Sequence, residues 1–243
     1  MLISIWGRDG IGKSTLADVL GCLYSRKDVT VVVDTDLMQP TLPARISGGS
    51  FHPDNSLGKA ISGIGTESAV RFLHQHPKKK NLFYAGLTEG DEYLSYEIGL
   101  EADDNAQNFV DDCRDTADTV ILDLSGQRTD PFVPSALINS DKIIVLMTPD
   151  VQGVCWYIAV EPLLEIMNTK GRILPVAAMT DRRHDLSAVE KAAGVRFSAV
   201  LPFVREFRQD STVSPLDGTS RAALRYAKQS EQLYALLKGG GEA

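Results

Sequence analysis

The chain has 243 residues, of which 43% are hydrophobic and 23% charged, so it can bury a sizeable core, and wholesale disorder is excluded. No window approaches the roughly 18 uninterrupted apolar residues of a membrane span, and the chain opens straight into an apolar run without a charged leader, so we expect a cytoplasmic protein. Net charge is −7, and Cys22, Cys113 and Cys155 are scattered without CxC or CxxC spacing, which argues against a disulfide framework and a cysteine metal cluster.

Leu2-Ile3-Ser4-Ile5-Trp6 reads as a short buried strand, and Ser14 to Leu23 as a helix with Leu16, Val19, Leu20 and Leu23 on one face. Between them, Gly7-Arg8-Asp9-Gly10-Ile11-Gly12-Lys13-Ser14-Thr15 fits G-x-x-x-x-G-K-[ST], the phosphate-binding loop. The glycines let successive backbone N–H groups turn toward phosphate oxygens, and the helix start adds its positive dipole end. Lys13 places a cation on the β/γ-phosphates, and the Ser14 hydroxyl is positioned to ligate Mg²⁺.

Val29 to Val33 is a β-branched strand ending in Asp34-Thr35-Asp36, at the rim where parallel sheets bind ligands. From Gln39-Pro40-Thr41 through Gly65, Pro and Gly density suggests a mobile surface element. Glu67 to His76 reads as a helix with Val70, Leu73 and Phe72 inward, followed by a Lys78-Lys79-Lys80 turn and a strand from Asn81 to Ala85 that Gly86 closes. The acidic stretch from Glu89 to Asp118 carries one amphipathic helix through Phe109, Val110 and Cys113. Thr119 to Asp123 is an interior strand followed by a Leu124–Gln127 loop. Lys142 to Met147 and Ile173 to Met179 are further strands, with a helix from about Val154 to Met167 between them. A last strand from Val195 to Leu201 precedes a helix from about Ser220 to Leu237 and a frayed tail from Lys238 to Gly241.

This alternation predicts an α/β fold over residues 1–243: a single P-loop NTPase domain, its sheet mostly parallel with helices on both faces. Asp123, after four apolar residues, has the place of a Walker B aspartate holding Mg²⁺ opposite Ser14. Asp34 and Asp36 form a second carboxylate pair, one for the hydrated Mg²⁺ and one to orient attacking water; we assign these roles to Asp34 and Asp36 respectively.

Arg8-Asp9-Gly10-Ile11-Gly12-Lys13-Ser14-Thr15 resembles the deviant Walker A loop, KGGxGK[ST]T, of the ParA/MinD superfamily of partition, septum-site and pilus-positioning ATPases. Val33 to Asp36 resembles its switch I, Leu122 to Gly126 its switch II, and Asn81–Gly86 and Asp141–Pro149 two further strand motifs. The resemblance implies a homodimer formed on ATP, with both nucleotides at the interface. Arg8 stands where the family's signature lysine crosses to the partner's phosphates, so the resemblance gives Arg8, like Lys13 and Asp36, a catalytic place. Asp9 replaces a glycine; a carboxylate beside a triphosphate is expected to turn outward, and slow hydrolysis follows. Thr180-Asp181 stand where the family often has Asn, with Asp181 accepting from the base, and Pro202-Phe203-Val204 resemble the segment that lines it.

The short, weakly basic end from Ala235 argues against a membrane anchor, and the cluster cysteines and CxC pairs of other relatives are absent. Arg182, Arg183, Arg205, Arg208, Arg221 and Arg225 could meet DNA non-specifically, against the repulsion of the net −7. The expected function is an ATP-dependent dimerising switch that positions cargo for an activating or cargo protein. The alternative is a hydrolysis-impaired ATP-binding scaffold that recruits a protein; a carboxylate-activating metabolic enzyme is weaker.

Overall fold

The computed structural model describes residues 1–63, 68–92, 94–127, 129–209 and 216–239, apart from the side chains of Arg208 and Gln209. Its strands are β1 (Leu2–Trp6), β2 (Thr30–Asp34), β3 (His74–Gln75), β4 (Leu82–Ala85), β5 (Thr119–Asp123), β6 (Lys142–Met147), β7 (Ile173–Thr180) and β8 (Ala199–Pro202). They form one sheet in the order β3-β4-β2-β5-β1-β6-β7-β8. Every pairing is parallel except β3 with β4. β1, β2 and β5 are buried along their whole length, as strands covered on both faces must be.

The helices are α1 (Lys13–Tyr24), α2 (Leu42–Arg45), α3 (Leu57–Ile61), α4 (Ala102–Thr116), α5 (Phe132–Asn139), α6 (Val151–Ile166), α7 (Leu186–Ala193), α8 (Arg205–Gln209) and α9 (Arg221–Lys238). The two-residue alternation of the strands divides the core. Ile3 and Ile5 of β1 and Val32 of β2 face Leu16, Leu20 and Leu23 of α1 and Tyr226 and Leu233 of α9. Leu2, Trp6, Val31 and Val33 point the other way, toward Phe109 and Val110 of α4, Phe132 and Leu137 of α5, and Tyr157 and Leu164 of α6. In α4 the acidic residues Asp103 and Asp104 occupy the first turn, where the helix dipole favours them, while Ala106, Phe109, Val110 and Cys113 are buried at three- and four-residue spacing. Among the described residues no helix is long and apolar enough to cross a membrane.

Some expectations are corrected. The helix read from Glu67 to His76 is a 3-10 turn at Ala69–Phe72 followed by β3; Gly65 and Glu67 lie outside the described residues. Backbone pairing of His74 and Gln75 with β4 outcompetes the local helix, leaving Val70 53% exposed and Phe72 buried. The stretch after β2 holds α2, a 3-10 turn at Pro53–Asn55 and α3, anchored by buried Leu42, Leu57 and Ile61. α6 starts at Val151 because the Asp150 carboxylate caps the Gly153 N–H at 2.8 Å. The last strand begins only at Ala199, since Val195 N–H still bonds back to the Glu190 carbonyl beyond α7. Lys238 closes α9 and its ammonium pairs with Asp28; Gly240 and Gly241 lie outside the described residues.

Candidate functional site

The loop between β1 and α1 is shaped by two positive backbone angles, φ 75° at Gly10 and φ 94° at Gly12. Side chains avoid this region, and the resulting curl turns consecutive N–H groups toward one point. Gly12 is the residue from which α1 starts, so the first unpaired N–H groups of the helix open onto the same point. Lys13 is buried, and its Nζ donates to the Arg8 carbonyl at 2.9 Å and to Asp9 Oδ1 at 3.0 Å.

A cleft of about 470 Å³ runs from this loop across the carboxyl ends of β2, β5, β6, β7 and β8. Its polar end is lined by residues 9–15, Asp34, Asp36, Gln39, Thr41, Asp123 and the loop after β5. Its apolar end is lined by Leu146, Ala178, Met179, Leu201, Pro202, Phe203, Val204, Phe207 and Tyr226. Phe207 and Tyr226 meet edge to face, with ring centroids 5.4 Å apart. Met179 has φ 57°, a left-handed conformation that non-glycine residues rarely adopt, at the irregular end of β7. A polyanion-binding loop continuous with an aromatic-walled slot suits a phosphorylated planar ligand.

The carboxylates around the polar end are not free. Arg45, at the end of α2, is 10% exposed and holds three of them. It grips Asp18 through Nε at 3.3 Å and Nη2 at 2.8 Å, and Asp34 Oδ2 through Nη1 at 2.7 Å. The same Nη1 lies 3.5 Å from Asp123 Oδ2. Thr41 Oγ1 also donates to Asp34 Oδ2, at 3.0 Å, and Asp36 N–H donates to Asp34 Oδ1 at 3.2 Å. Burial pushes the Asp123 carboxyl up to about 7, aided by the Asp34 charge and opposed by Arg45 and by the Ser14 hydroxyl hydrogen bond. Burial also raises Asp36, with the Asp34 and Asp9 charges adding to it.

Asp123 Oδ2 is buried without a hydrogen-bond partner among the described residues. Beside the Ser14 hydroxyl it is a hard-oxygen donor set of the kind Mg²⁺ takes. Asp34, expected to share that ion, spends both oxygens on protein donors, because Arg45 supplies the positive charge instead. Asp36 lines the cleft as expected, with its Oδ1 accepting the Met38 N–H at 2.9 Å.

Asp9 corrects the expectation most directly. It turns inward rather than outward, because Lys13 and the Gly126 N–H, at 2.8 Å, both converge on its Oδ1. Gly7 and Arg8 do not line the cleft: Gly7 packs under the loop against the Leu146 carbonyl, and Arg8 Nη2 reaches Gln152 Oε1 at 2.8 Å. Thr180 and Asp181 are also outside it. The Thr180 hydroxyl is buried against the Leu201 carbonyl at 3.1 Å, and the Asp181 carboxylate accepts the Arg183 N–H at 2.7 Å in a turn of its own. Pro202, Phe203 and Val204 do line the apolar end.

Sequence reasoning missed Arg45, Tyr226 and Asp130. Tyr226 was findable, since Ala223, Tyr226, Ser230, Leu233 and Leu237 make one buried stripe of α9. Asp130 is buried below the rim, where its Oδ2 accepts the Thr35 hydroxyl at 2.5 Å and the Ser125 N–H at 3.0 Å. It thereby ties the loop after β2 to the loop after β5. Burial pushes this carboxyl up to about 7 against those hydrogen bonds.

No family model and no curated protein sequence matches the chain. Solved structures do. The septum site-determining protein MinD from Pyrococcus horikoshii, complexed with Mg-ADP, aligns with TM-score 0.77 and 16% identity over 100% of this chain and 99% of that one. A putative plasmid partition protein from Borrelia burgdorferi, bound to AMPPNP, gives 0.75 and 16% over 98% of each. A chain of the MinC:MinD cell division protein complex from Aquifex aeolicus gives 0.74 and 13% over 96% of this chain and 94% of that one. At these identities the likeness establishes the fold: the chain has the P-loop architecture of the MinD- and ParA-type ATPases.

Proposed function

We propose that this chain, built on the fold of MinD- and ParA-type ATPases, binds Mg-ATP in the rim cleft and works as a slow ATPase. In this reading residues 1–243 act as one unit in the cytoplasm, dimerise on ATP and position a cargo through a partner protein. One observation carries it: the glycine-rich amide cradle with Lys13 and Ser14 runs without a break into an apolar slot walled by Phe203, Phe207 and Tyr226. Phosphates suit the first part and a purine the second.

In the roles we assign, backbone N–H groups of Gly10 to Ser14 and the Lys13 ammonium hold the phosphates. Ser14 and Asp123 would hold Mg²⁺, which supplies charge neutralisation to the terminal phosphates. Asp36, its carboxyl raised by burial, orients the attacking water. Arg8 does not line its own cleft and bonds Gln152 instead; in the dimer of this reading it would serve a second copy's phosphates. Arg182, Arg183, Arg205, Arg221 and Arg225 are exposed and would supply any contact with DNA; the Arg208 side chain lies outside the described residues.

The second reading, an ATP-binding scaffold without turnover, is favoured by one feature: Asp9 occupies two donors that a terminal phosphate would use. Phosphate release from Mg-ATP, with and without duplex DNA, separates the two. Turnover above background that Lys13→Ala abolishes supports the ATPase. Tight binding without turnover supports the scaffold. A wild-type protein with no heat on titration with Mg-ATP removes both.

A further inference from the structure

We propose that Asp9 is a built-in occupant of the terminal-phosphate position, and that it makes the cleft prefer a nucleoside diphosphate over a triphosphate. This rests on the nucleotide reading above. Two donors meet at Asp9 Oδ1: Lys13 Nζ at 3.0 Å and the Gly126 backbone N–H at 2.8 Å. The first is the cation of the phosphate-binding loop, which serves the outermost phosphates. The second belongs to the loop after the strand that ends in Asp123, the kind of segment that P-loop proteins order on a terminal phosphate. An oxygen held by both donors has the chemistry and the place of a γ-phosphoryl oxygen.

The fit is close. A Cβ at Gly126 would stand 2.6 Å from Asp9 Oδ1, so only a glycine lets the carboxylate approach that N–H. Burial works against the ionised carboxylate, but Lys13 and the Gly126 N–H outweigh it and hold the Asp9 carboxyl below its usual range. Lys13 spends a second N–H on the Arg8 carbonyl, leaving one of its three protons for a ligand. The Asp9 side chain is 65% exposed, so it can swing out at modest cost.

These facts separate two ligands. A diphosphate lies in the amide cradle and leaves Asp9 where it is. A triphosphate must break both Asp9 contacts and then carry its third phosphate beside a displaced carboxylate. The loop after β5 is also held at Gly126 without any terminal phosphate, which weakens its ability to report one.

The test is calorimetry of wild type, Asp9→Asn and Asp9→Gly with Mg-AMPPNP and Mg-ADP, with thermal melts to establish folding. Asp9→Asn keeps the shape and removes the charge; Asp9→Gly removes both. Both variants are expected to tighten Mg-AMPPNP roughly tenfold, the scale of one charge-assisted hydrogen bond discounted for exposure. Mg-ADP is expected to tighten by a clearly smaller factor, since Lys13 also serves its β-phosphate but no phosphate of ADP competes with Asp9 for the Gly126 N–H. Equal changes for both nucleotides, or no change for either, overturn the role of Asp9 while leaving the nucleotide cleft standing. No binding of either nucleotide by any of the three proteins overturns the cleft reading and this proposal with it.

Discussion

Replacing Arg45 with Met tests what holds the rim together. The guanidinium is 10% exposed and serves Asp18, Asp34 and Asp123 at 2.7 to 3.5 Å. Methionine keeps much of the stem volume but leaves three carboxylates facing one another without the guanidinium between them. Removing one member of a buried ion pair costs about 3–5 kcal/mol. With a urea slope of roughly 2–3 kcal/mol/M, the midpoint falls by about 1–2.5 M. The loss should depend on pH, and its sign follows from the carboxyls. Burial already raises Asp18 and Asp123, the latter to about 7, and without Arg45 both rise further. A carboxyl whose folded pKa lies above its unfolded value removes stability as pH climbs between the two. The variant's deficit is therefore greatest at about pH 8 and smaller near pH 5, where these groups can take up protons. Urea melts of both proteins at the two pH values are the assay. An equal deficit at both, or a midpoint within about 0.3 M of wild type at the higher pH, would refute the view that Arg45 acts by charge.

Asp130 yields a second pH prediction. Its carboxyl is pushed up to about 7 by burial, so its own contribution to wild-type stability should decline from about pH 4 to pH 7. Asp130→Asn should flatten that decline by up to about 1.4 kcal/mol per pH unit, one proton's worth; an unchanged slope in urea melts across the range would count against it. Phe203→Ala trims an apolar wall of the cleft at a residue that is 39% exposed, so the fold should melt nearly as before. If the base stacks there, calorimetric affinity for Mg-ADP and Mg-AMPPNP should fall together, roughly five- to tenfold. A loss confined to one nucleotide would move the base elsewhere.

The parts legible in the sequence are those where one local rule dominates. β5 reads directly because Thr119 to Leu122 is an unbroken apolar-compatible run closed by an aspartate. The phosphate-binding loop reads because its glycines and Lys13 have a fixed spacing. α7 is absent from the sequence reading although it carries its own punctuation, an Asp185 side chain capping the Ala188 N–H and Gly194 at φ 67° after its last turn. α2 and α3 have four and five residues, too few to show a period, and form because Leu42, Leu57 and Ile61 find the core. At the site, the inward turn of Asp9 is not legible locally, because it depends on the Gly126 N–H, a partner 117 residues away. Arg45 had no signal, since a lone arginine in a Pro- and Gly-rich stretch looks like solvent-facing charge until folding brings three acids around it.

The two ends of the sheet bear on how copies of this chain can meet. β3 contributes only two residues, and the lysines at positions 78, 79 and 80 flank its hairpin. At the opposite end β8 stops in a proline, and its Val200 N–H is already taken by the Gln229 side chain of α9 at 3.4 Å. Among the described residues neither margin offers the long row of vacant amides and carbonyls that strand-by-strand accretion needs. A contact between copies of this chain would therefore be made by side chains rather than by extending the ladder.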